Sequence, residues 1–78
     1  MTRREKLVER IRARPPEADF SDVRALLEEF GWQQQRQKGS HVTFGKEGEF
    51  PITLPTVSGR KVKRVYLDKI IERLGLEE

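Results

Sequence analysis

The chain has 78 residues, with 16 Lys or Arg, 13 Asp or Glu, one His and no Cys, for a formal net charge of +3. Such a length supports one small core, burying about 60–65% of the unfolded surface, and leaves no room for a deep catalytic cavern. The composition excludes disulfides and thiolate zinc sites, and a lone histidine argues against any metal cluster.

The first element expected is a helix from Thr2 to Arg14. Thr2 and Glu5 have capping-box spacing, and Leu7, Val8 and Ile11 form a narrow apolar stripe. Pro15 and Pro16 end it, because proline lacks the amide donor and disfavours helix in the residue before it. So thin a stripe reads as a flank or lid rather than a core element. No signal-peptide pattern opens the chain, and no apolar run approaches the ~20 residues that span a bilayer. A cytoplasmic location with no membrane partner is the expectation.

A second helix is expected over Asp22 to Phe30, with Ser21 or Asp19 as N-cap. Val23, Leu26, Leu27 and Phe30 recur at helical spacing and mark one buried face. Gly31 then supplies a left-handed stop.

The period now becomes two. Trp32 to Gln37 reads as a polar strand in which Trp32 looks inward and Gln33, Gln35 and Gln37 share the opposite face. Lys38-Gly39 turns the chain, and Ser40 to Phe44 forms the next strand. Val42 and Phe44 share its inner face, which puts His41 and Thr43 on the outer one. Phe50 to Leu54 is a third strand, with Ile52 and Leu54 inward; Pro51 and Pro55 confine it to an edge. Val57 to Val62 reads as a loop around Gly59. The last helix runs from Lys63 to Leu74 on the stripe Leu67, Ile70, Ile71 and Leu74, with Gly75 as its cap.

These elements assemble as an α+β domain of order α-β-β-β-α over residues 20–76. A three-stranded antiparallel sheet carries helices on one face, and residues 1–16 form an N-terminal helical extension to a single 1–78 domain. This is the architecture of double-stranded RNA-binding modules. The uncovered face holds His41, Thr43, the glutamines and Thr53.

Charge is unevenly placed. Between Gly31 and Tyr66 the basic residues are Arg36, Lys38, Lys46, Arg60, Lys61, Lys63 and Arg64, against only Glu47 and Glu49. A basic central segment suits a polyanion, although a merely solvated surface gives the same count. Arg36, Lys38 and the cluster Arg60, Lys61, Lys63 and Arg64 are candidate phosphate ligands. Gly39 permits close backbone approach, and Ser40 offers a hydroxyl and an amide to a phosphate oxygen; an ordinary hairpin turn would look the same.

His41 is the candidate for chemistry, because an imidazole moves protons near neutral pH. RNA carries its own nucleophile in the 2′-hydroxyl. Its cleavage therefore needs only proton transfer and stabilisation of a pentacoordinate phosphate, with no metal or cofactor. The second proton carrier is left open among Ser40, a lysine, water and His41 itself. A surface histidine without a role is the plain alternative.

The strings that carry a family likeness are Leu26-Leu27 through Phe30-Gly31-Trp32 and Arg36-Gln37-Lys38-Gly39-Ser40-His41-Val42-Thr43-Phe44. Ile52-Thr53-Leu54-Pro55, Leu67-Asp68-Lys69-Ile70-Ile71 and Gly75-Leu76 follow in order. Together, from Phe20 to Leu76, they resemble the HicA toxin family, small mRNA interferases of type II toxin–antitoxin systems. The resemblance implies a dsRBD-like fold, His41 as the catalytic position with Gly39 and Ser40 beside it, mRNA as substrate, and a HicB-like antitoxin covering the active face. The Thr2–Arg14 helix lies outside the minimal family pattern, and Thr56-Val57-Ser58-Gly59 stands where a His- or Gly-rich basic loop is often found. A non-catalytic RNA-binding module and a protein-interaction domain remain as rival readings. The first would bind RNA in a salt-sensitive way without cutting it; the second would bind a neighbouring-gene product and no RNA.

Overall fold

The computed structural model describes residues 2–77, in the order α1 (Arg3–Arg12), β1 (Glu17–Asp19), α2 (Phe20–Glu29), β2 (Gln33–Lys38), β3 (His41–Gly45), β4 (Ile52–Pro55), β5 (Lys61–Lys63) and α3 (Arg64–Arg73). Strands β2, β3 and β4 form an antiparallel sheet in that order, and β1 pairs antiparallel with β5 in a separate ribbon. The α-β-β-β-α arrangement expected of residues 20–76 is present, with the ribbon added to it. No helix among the described residues is long and apolar enough to cross a membrane.

One core serves every element except β2, whose residues are all exposed. Val42, Phe44, Ile52 and Leu54 of the sheet join Val23, Leu26 and Leu27 of α2 and Leu67, Ile70 and Ile71 of α3, with Ala18 and Val62 from the ribbon. Both main helices stop as their glycines require. Gly31 and Gly75 have φ of +88° and +68°, and the amides of Trp32 and Leu76 reach back to the Leu27 and Ile71 carbonyls at 2.9 Å.

The helix α1 is a core element, not a flank or lid. Ile11 is fully buried and Leu7 nearly so, because α1 packs against both α2 and α3. Its start is capped as the sequence indicates, with the Glu5 amide donating to Thr2 Oγ1 at 3.1 Å. Its far end is tied to α3. Arg14 Nε donates to Asp68 Oδ1 at 2.7 Å, and Arg64 Nε donates to the Arg14 carbonyl at 2.8 Å.

The segment 57–62 is not a loop throughout. Ser58 and Gly59 both have positive φ, the sign pattern of a tight type I′ turn, and the Arg60 amide closes it on the Val57 carbonyl at 3.0 Å. The chain leaves that turn directly into β5. The last helix accordingly begins at Arg64, with Lys63 as its N-cap. Helix α2 begins at Phe20 with Asp19 as N-cap, but the Asp19 side chain makes no cap bond. The Phe20 amide is satisfied instead by the Arg60 carbonyl at 2.7 Å.

Candidate nucleic-acid interface

The hairpin β2–β3 builds the site. Gly39 and Ser40 are its two loop residues, flanked by the paired residues Lys38 and His41. Gly39 has φ +60° and Ser40 does not share the sign, as in a type II′ turn, which matches the right-handed twist of the flanking strands. A Cβ at Gly39 would meet nothing within 4 Å, so the glycine is required by its backbone conformation and not by crowding.

The turn is anchored from below by a residue that sequence reasoning passes over. Thr56 donates twice to the Ser40 carbonyl, from its amide at 2.7 Å and from Oγ1 at 3.1 Å, and it is buried. The signal is slight: one threonine just after Pro55, in a segment that reads as connection.

Facing residues of an antiparallel pair project to the same side. Lys38 faces His41, His41 faces Pro55, Thr43 faces Thr53, and Arg36 faces Thr43. The uncovered side therefore carries Arg36, Lys38, His41, Thr43 and Thr53. His41, Arg36 and Lys38 are exposed, and among the described residues their side chains have no hydrogen-bond or ion-pair partner. Thr43 and Thr53 join their hydroxyls at 3.2 Å.

This grouping depends on a β-bulge. The register shifts between Gln34 and Arg36, so Gln35 is the extra residue. Strict alternation from Trp32 would send Arg36 to the helix side with Gln34. The bulge reverses the phase after Gln35 and brings Arg36 and Lys38 round to the side of His41. It also corrects the expected placement of the glutamines: Gln37 faces Val42, on the helix side, and donates to the Gly39 carbonyl at 3.1 Å. Gln34 faces Phe44 on that same side, yet both glutamines are exposed because β2 is an edge strand beyond the helices' cover.

The second basic cluster is differently placed. Lys61 and Lys63 lie on β5, opposite Asp19 and Glu17 of β1. Lys61 is bound to the Asp19 carboxylate. That bond, hydrogen-bonded as well as coulombic, holds Asp19 below the usual carboxylate range and raises Lys61. Arg64 is engaged with the Arg14 carbonyl. Arg60, in the turn before β5, has a free side chain among the described residues. The structure thus brings Arg36, Lys38, Gly39, Ser40 and His41 together on one hairpin; it puts Lys61, ion-paired with Asp19, and Lys63, opposite Glu17 in the ladder, on the ribbon, and Arg64 at the start of α3 against the Arg14 carbonyl. Neither large aromatic near these cations is open for stacking on a base: Trp32 is buried beneath the Arg73 guanidinium, and Tyr66 is half-buried with Lys69 over its ring.

A family model described as HicA toxin of bacterial toxin–antitoxin matches residues 20–76. The chain belongs to the HicA toxin family. The match takes in the whole hairpin and both helices that back it, and α1 falls outside it. Comparison with curated proteins and with solved structures gives no match. Membership in this family makes the chain a toxin of a toxin–antitoxin system.

Proposed function

We propose that this toxin is a metal-independent endoribonuclease that cleaves mRNA, with His41 as its proton-transfer residue. The observation that carries the reading is the exposed, unpartnered imidazole at the mouth of a glycine turn, with Lys38 facing it and Arg36 next along the same side. His41 removes the proton of a ribose 2′-hydroxyl. The oxygen attacks the adjacent phosphorus, and the bond to the 5′-oxygen breaks as that oxygen gains a proton. The products are a 2′,3′-cyclic phosphate and a 5′-hydroxyl. Lys38 and Arg36 neutralise the charge that grows on the phosphate oxygens, and the turn at Gly39 and Ser40 lets the backbone approach them. A HicB-like antitoxin silences the toxin by covering this side of the sheet.

The test is cleavage of a single-stranded RNA in EDTA. Wild type is expected to cut it, and His41→Ala to lose about 10²–10⁴-fold in rate while binding RNA as tightly. Activity abolished by EDTA defeats the metal-independent mechanism. Full activity in His41→Ala defeats the assignment of the histidine, and salt-sensitive binding without any cleavage returns the chain to a non-catalytic RNA-binding module.

A further inference from the structure

We propose that Gln35 reads a base, selecting a nucleotide that flanks the cleaved phosphate. The inference rests on the proposed ribonuclease activity and extends it to sequence preference.

The bulge that reverses the phase of β2 leaves Gln35 as the unpaired residue of the ladder. Its side chain lies across Gly45. A Cβ on Gly45 would stand 2.2 Å from Gln35 Nε2, 2.3 Å from Cδ and 2.6 Å from Oε1. The amide thus occupies the place where any other residue of β3 would project its own side chain, and Gly45 is buried on account of it. Among the described residues this amide makes no hydrogen bond, so its N–H donors and its carbonyl acceptor stay open to a ligand. Resting against the strand limits the rotamers that a bound base would otherwise have to freeze.

The position relative to the chemistry is set by the strand. His41, Thr43 and Gly45 are alternate residues of β3 on one side of the sheet, so Gly45 lies about 13 Å along the strand from His41. Arg36 and the Thr43–Thr53 hydroxyl pair stand between. An RNA strand with its reacting phosphate at His41 and Lys38 passes Arg36 and presents a flanking base to the Gln35 amide. Arginine and lysine hold phosphate whatever the sequence. A side-chain amide, offering donor and acceptor together, discriminates the exposed edges of unstacked bases.

Two variants separate this role from a structural one. Gln35→Ala removes the amide. Gly45→Ala keeps it but evicts it from its seat, since the new methyl group needs the same space, and Gly45 is not at positive φ, so alanine fits the backbone. Each protein is incubated with a random-sequence RNA pool in EDTA, and the product ends are sequenced. Wild type is expected to favour one base at one position beside the cut. In both variants the ratio of favoured to disfavoured cuts at that position falls about fivefold or more, the lower range for reading one base. A variant that is merely misfolded lowers all cuts in proportion and leaves the ratio intact, which overturns the proposal. So does a wild-type pattern without base preference. Failure of wild type to cut any RNA is a separate result: it removes the ribonuclease reading and this inference with it.

Discussion

The three-stranded sheet and the two-stranded ribbon are both rich in lysine and arginine, yet they offer a polyanion different things. On the sheet, Arg36 and Lys38 share a side with no carboxylate and have no side-chain partner among the described residues. On the ribbon, Lys61 is bound to Asp19 and Lys63 stands opposite Glu17, and just beyond it Arg64, the first residue of α3, is turned to the Arg14 carbonyl. Lys61 and Arg64 are already engaged and Lys63 has a carboxylate opposite it in the ladder, whereas the cations of the sheet are free to hold something else. The number of basic residues along the chain does not distinguish the two, because availability is decided by what the partner strand carries.

The largest effect tests whether these are two regions of one cooperative unit. Phe44 on the sheet and Val62 on the ribbon are fully buried in the same core cluster. Phe44→Ala is expected to destabilise the domain by about 3–5 kcal/mol. Sheet and ribbon should melt together, followed as coincident transitions by far-ultraviolet circular dichroism and by Trp32 fluorescence. Two separated transitions would mean that the ribbon folds on its own and that its charges act independently of the sheet.

The next test addresses the contrast in charge directly. Replacing Arg36 and Lys38 together by Ala should weaken RNA binding and flatten the dependence of log affinity on log salt by about 0.7 for each phosphate no longer neutralised. Replacing Lys61 and Lys63 together should change that slope far less. The reverse experiment sharpens the point: Glu17→Gln with Asp19→Asn frees Lys61 and removes the negative charge opposite Lys63, and should raise RNA affinity above wild type. Filter binding over a salt series measures all three. Equal slopes for the two double variants would erase the distinction between the regions.

How much of this contrast is visible in sequence differs between the regions for a physical reason. Helices α2 and α3 and the alternation in β3 are written in apolar residues at regular spacing, so the side on which His41 lies follows from Val42 and Phe44. The bulge in β2 is not so written. Gln33, Gln34 and Gln35 are chemically alike, and nothing in three glutamines marks which one slips out of register. The ribbon is harder still. Glu17-Ala18-Asp19 and Lys61-Val62-Lys63 are three residues each with one buried side chain, too short for alternation to register, and they meet only because α2 and the sheet bring distant segments together. Helix α1 is easily undervalued for a related reason. A stripe of two or three residues is thin by number, but Leu7 and Ile11 sit where two helices converge.

A smaller effect is expected at the joint between the turn beside His41 and the end of β4. Thr56→Val keeps the shape and the backbone amide but removes the Oγ1 bond to the Ser40 carbonyl. The loss should be about 0.5–1.5 kcal/mol in stability, read by urea denaturation. Because the bond fixes the carbonyl just before His41, the cleavage rate should fall by a larger factor than RNA affinity does. A proportionate drop in both would mean that Thr56 supports the fold generally and does nothing particular for the turn.

The smallest effect belongs to the Lys61–Asp19 pair, and its sign follows from the shifts in both groups. Asp19 is held below its ordinary value by Lys61, so its contribution is present above the unfolded carboxylate range and is lost as pH falls through the lowered folded value. Lys61 is raised by the same partner, so its contribution is present below the unfolded lysine range and is lost as pH climbs through the raised folded value. Between those limits stability should be flat with respect to this pair. Asp19→Asn removes both dependences at once: the variant should be slightly less stable than wild type at neutral pH, and the difference should vanish in acid. Both partners are exposed, with side chains about half open to water, so salt screens the pair and the difference should also shrink in high salt. A gap between variant and wild type that persists unchanged at acidic pH would show that Asp19 supports the start of α2 rather than the ribbon. The ribbon's cations would then be as available to a polyanion as those of the sheet.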